Sequence, residues 1–304
     1  MKYDVIGVGN VAYDYLCIVE DYPKEDSSTH ILQIVNQCGG CVGTSLVSMQ
    51  RLGISSCYIG NIGNDDAGRI IQNDFLKEGV GIDGLEVLQD GHSSLGFVMI
   101  DPNHATRTKF PYRDNLADIE WIDKKKDLIQ NAKILHIDGT HYNNCMQAIE
   151  IAKANNVLVS LDGCSKKEDN SLNVDIARNA DILIMNSAYP FYTSNKESLK
   201  DAFAFFANFG AKYILTTRGE DGCIAYVDNE IREFPAFKVN AVDTTGAGDA
   251  FHGGFIAAIL KGYPLLKAIE YASAVSAINT LQIGGRIGLP THQEVEDFIQ
   301  SYQI

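Results

Sequence analysis

Residues 244–251 read Thr-Thr-Gly-Ala-Gly-Asp-Ala-Phe and combine small residues with a single acid. Small residues such as Gly246, Ala247 and Gly248 let backbone N–H groups approach a ligand closely. A helical pattern of apolar residues begins at Phe251, and the first N–H groups of a helix have no partner within that helix. These N–H groups and the positive end of the helix dipole together predict a binding site for a phosphate-like anion.

Asp249 lies at the mouth of this predicted anion site, where a second negative charge repels the ligand unless it has a further task. A carboxylate beside a bound phosphoryl group could accept the proton of an attacking hydroxyl, as a general base does in phosphoryl transfer. The alternative is that Asp249 only caps the helix, because Asp suits that position well.

The run Asp243–Phe251 closely resembles the signature of the ribokinase-like (PfkB) carbohydrate kinases, a family that includes fructokinases and adenosine kinases. The resemblance implies that the backbone of residues 246–248 forms an anion hole for the γ-phosphate of ATP. It also implies that Asp249 is the base that acts on a hydroxyl of a sugar-like substrate. Further matches to the family cover nearly the whole chain, so the expected activity is that of an ATP-dependent kinase.

Residues near the N-terminus match the acceptor site of that family. Asp14 follows the first predicted strand, where the family carries an Asp that hydrogen-bonds sugar hydroxyls, and with Asn10 it resembles the G-N-x-x-x-D form of adenosine kinases. A carboxylate suits this task because it accepts two hydroxyl donors at once, although an acid in a solvated turn is the alternative. Gly39 and Gly40 match a di-glycine whose N–H groups contact the sugar, and Thr44 stands where the family usually has Asn.

Three basic residues, Arg107, Lys109 and Arg113, cluster in an otherwise acidic chain. By resemblance, Arg113 is an acceptor-site residue that returns from the family's lid. The cluster is either the solvated face of a strand or a binding site for a phosphate or sulfonate on the substrate.

The nucleotide side of the site is assigned by resemblance alone. One position departs from the family, because Tyr189 stands where an N-x-x-E motif has the Glu that helps to hold Mg²⁺. Asp243 matches a residue near which many members bind a monovalent cation such as K⁺. The positions expected to contact ATP are Asn186, Thr217, Gly219, Gly222, Thr244 and Ser273.

Apolar runs without alternation, separated by helical patterns, predict a parallel sheet covered on both faces. The expected fold is therefore α/β, a doubly wound and mostly parallel sheet with helices on both faces, plus a small β-sheet lid. Each run ends in a polar residue or Gly, and ligands of such sheets lie beyond the carboxyl ends of the strands. Seven polar residues should thus meet at one edge: Asn10, Asp14, Asn61, Asp138, Asp162, Asn186 and Thr217.

The chain divides by pattern into a core and a lid. The core comprises residues 1–14, 38–93 and 114–304, and the lid comprises the strand-like segments 15–37 and 94–113. A free sheet edge with exposed apolar residues tends to pair with a copy of itself, so the lid predicts a homodimer.

Composition narrows the class of protein. The chain has 304 residues, 45% of them hydrophobic and 21% charged, which is typical of a folded protein. A net charge of −14 argues against nucleic acid or an anionic membrane as a partner.

No apolar run is long enough to span a bilayer, and no signal peptide is recognised. Seven scattered cysteines indicate reduced thiols, so a cytoplasmic location is expected. Cys38 and Cys41 spell C-x-x-C, but one pair without a second is poor evidence for zinc, and a redox site requires the motif at the start of a thioredoxin-like unit.

Three alternatives remain open at the level of the sequence. Residues 7–12 match the dinucleotide fingerprint G-x-G-x-x-A, which would indicate a dehydrogenase if a helix followed. The missing Glu at position 189 would suit a catalytically silent ligand sensor of the same fold. Asn10 and Asp14 would suit a nucleoside as the acceptor. A P-loop mechanism is excluded, because no G-x-x-x-x-G-K-[ST] motif is present.

Overall fold

The computed structural model describes residues 2–101 and 106–302 and contains two sheets. The large sheet has nine strands in the order β13-β12-β11-β10-β9-β8-β1-β4-β5. All neighbours from β11 to β5 pair in parallel, whereas β12 and β13 add an antiparallel hairpin at one edge. Its strands are β1 (Val5–Val8), β4 (Ser56–Gly63), β5 (Gly81–Leu88), β8 (Ile134–Ile137), β9 (Leu158–Gly163), β10 (Ile182–Asn186), β11 (Tyr213–Thr217), β12 (Cys223–Val227) and β13 (Glu230–Phe234).

Helices cover both faces of the large sheet. One face carries α1 (Cys41–Arg51), α2 (Asp66–Glu78), α8 (Ala247–Leu260), α9 (Leu265–Asn279) and α10 (His292–Tyr302). The other carries α3 (Asp123–Gln130), α4 (Tyr142–Ala154), α5 (Asn170–Arg178), α6 (Tyr189–Ser194) and α7 (Leu199–Ala207). Alternate residues of a strand point to opposite faces of the sheet and pack into two hydrophobic cores. Val5 packs with the first helix layer and Ile6 with the second. The doubly wound α/β prediction is confirmed.

The second sheet is small and has four strands in the order β3-β2-β6-β7. They are β2 (Ala12–Val19), β3 (Ile31–Gly39), β6 (Leu95–Asp101) and β7 (Thr106–Tyr112). Both chain segments expected to form the lid contribute strands to it, which confirms a small separate sheet. The exact domain boundaries stay a prediction, and residues 102–105 of the second segment lie outside the described residues.

The segment after the G-x-G-x-x-A match is a strand. β2 begins at Ala12, so no helix follows the glycines of residues 7–12 as a dinucleotide site requires. The β-branched and aromatic residues of this segment favour the extended conformation. The structure therefore removes the geometric basis of the dehydrogenase alternative.

Helix α8 is buried on nearly all sides, and two glycines explain how it packs so closely. A Cβ on Gly253 would come 2.5 Å from the Cβ of Ser48 on α1, and one on Gly254 would come 2.9 Å from the Cα of Ala272 on α9. The hydroxyl of Ser45 also donates to the backbone carbonyl of Asp249 at 3.0 Å. The start of α8 is thereby fixed against α1.

Candidate active site

A cleft lies between the second sheet and the N-terminal ends of α1 and α8. Parallel strands place their carboxyl ends at one edge of the large sheet. Of the seven polar residues expected at this edge, Asn10 and Asp14 line the cleft, and Asp14 does so from β2 of the second sheet. Eight of the residues expected to contact the acceptor or the phosphate line it: Asn10, Asp14, Gly39, Gly40, Thr44, Arg113, Gly246 and Asp249. Residues separated by more than 200 positions in the chain are thus brought together.

The N-terminus of α8 is shaped to receive an anion. Gly246 caps the helix in the left-handed region with φ 73°, and a Cβ there would come 2.5 Å from the Cα of Gly285. Gly248 is exposed, and a Cβ on it would meet no atom within 4 Å. The N–H of Ala247 donates to the carbonyl of Thr244 at 3.3 Å, and the other N–H groups of a first helical turn have no partner within the helix. This uncrowded helix end fits a phosphate group of ATP.

Asp249 is the third residue of α8 and lies half-buried in the cleft. Burial, together with the nearby negative charge of Asp162, raises the pKa of Asp249 to about 6. The positive charges of Lys109 and His252 oppose this rise. A carboxyl group with a pKa close to neutrality is well suited to accept a proton during turnover.

Asp14 lies between two glycines of the neighbouring strands. A Cβ on Gly39 of β3 or on Gly96 of β6 would overlap its carboxylate oxygens. Gly96 is the register partner of Asp14 on β6, and the sequence did not single it out. Burial raises the pKa of Asp14, while the charges of Arg286 and Lys109 oppose that rise. Both glycines thus make room for a carboxylate that points into the cleft.

Gly96→Ala tests this packing. The added methyl group must displace the Asp14 carboxylate, so we expect the KM for the acceptor to rise about tenfold, a loss of about 1.4 kcal/mol, with the KM for ATP unchanged. Steady-state kinetics with each substrate varied in turn provide the measurement. Phe97→Ala is the control, because the next residue of a strand faces the opposite side of the sheet. An acceptor KM unaffected by Gly96→Ala would show that Asp14 does not need this space.

Arg286 is a second residue that the sequence did not reveal. It is 4% exposed, pairs with Asp74 of α2, and donates to the backbone carbonyl of Gly39 at 2.8 Å. Its Nε also donates to the hydroxyl of Thr44 at 3.3 Å. The guanidinium therefore holds the di-glycine segment and Thr44 in place. No local pattern indicates this role, since Asp74 lies 212 positions away in the chain.

The basic residues of the second sheet occupy two places. Lys109 of β7 and Arg113 are exposed and line the cleft. Arg107 instead donates to the hydroxyl of Thr244, in the turn that precedes α8. Two cations thus face the cleft, and the third links the second sheet to the turn before the candidate anion site.

The residues assigned to the nucleotide lie outside the set that lines the cleft. Asn186 and Thr217 are register partners at the ends of β10 and β11, and Gly219 follows in a short 3₁₀ turn. Gly222 has φ 83° and approaches the backbone of Phe234 too closely for a side chain. Ser273 lies half-buried on α9. Their contact with ATP stays a prediction.

The motif that should hold magnesium offers no free ligand. Tyr189 is buried, and its hydroxyl donates to the backbone carbonyl of Asn173 at 3.4 Å. The side-chain oxygen of Asn186 accepts the N–H groups of Ala188 and Tyr189 at 3.0 and 2.9 Å, which stabilises the start of α6. These residues do not fit the family's arrangement for Mg²⁺.

Asp243 is buried and joins two loops. One carboxylate oxygen accepts the N–H and the hydroxyl of Thr245 at 2.9 and 2.8 Å, and the other accepts the N–H of Gly284 at 2.9 Å. These bonds hold the turn before α8 against the Gly284–Gly285 loop. The carboxylate thus has a structural task, and a monovalent cation beside it stays a prediction.

Comparison with known proteins agrees with this geometry. Residues 3–292 match the pfkB family carbohydrate kinases. A 5-dehydro-2-deoxygluconokinase from Geobacillus thermodenitrificans is 30% identical over 320 residues, covering 98% of this chain and 93% of that protein. An ATP-dependent 6-phosphofructokinase from Thermoanaerobacterium thermosaccharolyticum is 28% identical over 303 residues, covering 95% of this chain and 91% of that protein.

Solved structures give the same fold. The crystal structure of an E. coli protein assigned as a ribokinase II, in complex with ATP and Mg²⁺, matches this chain with a TM-score of 0.84 and 22% identity. The match covers 98% of this chain and 99% of that protein. Within residues 2–101 and 106–302, no helix is long and apolar enough to cross a membrane. Because the family match spans nearly the whole chain, this protein belongs to the pfkB family of carbohydrate kinases and is an ATP-dependent phosphotransferase that acts on an alcohol group.

Proposed function

We propose that this protein transfers the γ-phosphoryl group of ATP to a hydroxyl of a sugar or sugar derivative, with Asp249 as the general base. One observation carries the proposal: Asp14 and Asp249 line the same cleft, and the open N-terminus of α8 adjoins Asp249. An acceptor bound by the first carboxylate would lie between that carboxylate and the phosphate site. A catalytically silent sensor would not need a carboxylate with a pKa of about 6 at this place.

Each residue has a distinct task in the proposed mechanism. Asp14 and the backbone N–H groups of Gly39 and Gly40 bind and orient the acceptor. Asp249 takes the proton of the acceptor hydroxyl as its oxygen forms the new bond to phosphorus and the bond to the ADP oxygen breaks. The N–H groups of residues 246–248 stabilise the charge that develops on the transferred group.

ATP and Mg²⁺ are the proposed donor pair, with the ion neutralising phosphate charge when it is bound. The residues that we propose to contact ATP are Asn186, Thr217, Gly219, Gly222, Thr244 and Ser273. We also propose that K⁺ binds near Asp243, and activity measured with K⁺ replaced by Na⁺ tests this site.

The basic residues that line the cleft indicate the charge of the acceptor. Lys109 and Arg113 face the cleft, which favours a substrate with an anionic group over a neutral one. The similar protein from T. thermosaccharolyticum is a kinase of a phosphorylated sugar by name. A sugar phosphate or sugar acid is therefore the form of acceptor that we propose, and a nucleoside is the second candidate because of Asn10 and Asp14.

An ADP-release screen across neutral sugars, sugar acids, sugar phosphates and nucleosides tests the proposed function. We expect turnover with at least one sugar derivative and the highest kcat/KM for an anionic one. Turnover with nucleosides only would favour the second candidate. Binding of ATP and a sugar, with no ADP formed from any acceptor class, would instead support the silent sensor.

The pH dependence of kcat/KM should report the ionisation of Asp249. The base works only when deprotonated, and its pKa is about 6 in the free enzyme. We therefore expect kcat/KM to be constant above about pH 7 and to fall about tenfold per pH unit well below 6. Circular dichroism at each pH provides the control for unfolding. Constant kcat/KM down to pH 5 in a folded enzyme would contradict the role of Asp249.

We also propose that the protein forms a homodimer through the second sheet. Its edge strand β3 exposes Ile31, Leu32 and Ile34, which are 49%, 62% and 56% accessible, and Phe110 on the other edge strand is 50% accessible. Exposed apolar residues on a free sheet edge favour pairing with a second copy. Sedimentation velocity should show a dimer at micromolar concentration, and a monomer over the whole range would exclude this pairing.

A further inference from the structure

A cluster of two thiols and a carboxylate lies beside the cleft, and neither thiol has a part in the proposed mechanism. Cys41 is the first residue of α1, while Asp162 and Cys164 lie at the end of β9. One ligand atom from each lies within 4.8 Å of the others. In the part of the chain that the structure describes, this is the one group of three or more such residues close enough to share an ion.

The distance between the two sulfurs matches a shared metal ion. The Sγ atoms of Cys41 and Cys164 are 3.8 Å apart. Two thiolates bound to zinc at about 2.3 Å in a tetrahedral arrangement lie about 3.8 Å from each other. A disulfide would need a separation of about 2 Å, and both cysteines are free thiols in this structure. The C-x-x-C pair of the sequence is not involved, since Cys38 is buried on β3 and is not part of the group.

The surroundings of the cluster support ligand binding. Nε2 of His252 on α8 lies 3.2 Å from the Oδ1 of Asp162, and such a partner orients a metal-binding carboxylate. The amide of Asn186 donates to the backbone carbonyl of Cys164 at 3.3 Å and fixes the loop after β9.

An ion could reach the cluster from solvent. Cys41 lines the cleft and is half-buried, as is Cys164, whereas Asp162 is buried beneath them. We propose that Cys41, Asp162 and Cys164 form a binding site for one zinc-like divalent ion, with a fourth coordination position open to the cleft. Two sulfur ligands and one oxygen select zinc or cobalt over magnesium, which prefers oxygen ligands alone.

Cobalt provides a direct test that does not depend on kinase activity. The reduced full-length chain is titrated with Co²⁺ in the absence of nucleotide, and thiolate-to-cobalt charge-transfer absorption is recorded. We expect the absorption to saturate at one ion per chain and to disappear when Zn²⁺ is added. Cys41→Ser and Cys164→Ser should each abolish it, and Asp162→Asn should weaken cobalt binding at least about tenfold. Cys38→Ala is the matched control and should bind cobalt as the unmodified chain does.

A second measurement needs no substitution and so cannot fail through misfolding. Iodoacetamide labelling of the native chain with and without Zn²⁺ is mapped by mass spectrometry. Zinc should protect Cys41 and Cys164 together. Equal labelling of both with and without zinc, or cobalt absorption that is lost in Cys38→Ala but kept in Cys41→Ser, would overturn the proposal. Both measurements are made without nucleotide or acceptor, so this site and the proposed function are tested separately.

Discussion

Asp249→Asn is expected to lower kcat about a thousandfold, with the KM for ATP nearly unchanged. Asn keeps the size of the side chain but cannot accept the proton of the acceptor hydroxyl. The anion site at the start of α8 consists of backbone N–H groups, which this substitution leaves in place. Removal of a negative charge beside the phosphate site would, if anything, strengthen nucleotide binding. Turnover measured by ADP release, together with ATP binding measured by calorimetry, separates the two effects.

Asp66→Asn is the matched control, because its side chain is 89% exposed on α2. It should keep the activity of the unmodified enzyme. If Asp249→Asn turns over as fast as this control, then Asp249 only caps α8 and the general base lies elsewhere.

Asp14→Ala should act mainly on acceptor binding and raise the KM for the acceptor about a hundredfold. A hydrogen bond to a charged group contributes about 1.5–3 kcal/mol, and this carboxylate can accept two hydroxyl donors. Its pKa is raised by burial, but Arg286 and Lys109 favour the charged form that accepts both hydrogen bonds. The KM for ATP should stay constant, because Asp14 lies on the second sheet and not at the N-terminus of α8.

The measurement is steady-state kinetics with the best acceptor found in the screen. Asp21→Ala provides the control, since Asp21 is an exposed acid shortly after β2. An acceptor KM that is the same in both variants would remove Asp14 from the acceptor site. The contrast between a kcat effect at Asp249 and a KM effect at Asp14 distinguishes the base from the binding residue.

Features encoded in short stretches of sequence could be predicted. The run of residues 244–251 combines small residues with a helical pattern, and a helix does follow. It begins at Ala247, four residues before the first apolar residue of the pattern, because Gly246 caps it in the left-handed region. The apolar runs of residues 134–137 and 213–217 form strands β8 and β11 of the parallel sheet, as apolar runs without alternation indicate. From the order of strands and helices it follows that their carboxyl ends share one edge, which brings Asn10 toward Asp138; the N–H of Asn10 donates to that carboxylate at 2.9 Å.

Features that depend on distant pairing could not be predicted. Gly96 matters because it is the register partner of Asp14 across two strands that are about 80 residues apart in sequence, and a single glycine before Phe97 gives no such signal. Arg286 resembles a surface arginine until Asp74 and the carbonyl of Gly39 surround it. The relevant partner of Cys41 is Cys164, not the nearer Cys38, because α1 and β9 meet only in the folded chain.

The most direct test of the proposed mechanism is a crystal structure with a non-hydrolysable ATP analogue and the preferred acceptor. We predict that oxygens of the γ-phosphate lie within hydrogen-bonding distance of the N–H groups of residues 246–248. We also predict that an acceptor hydroxyl contacts the carboxylate of Asp249 while other hydroxyls contact Asp14. A γ-phosphate bound away from the N-terminus of α8, or an Asp249 side chain turned away from the acceptor, would contradict the proposed mechanism.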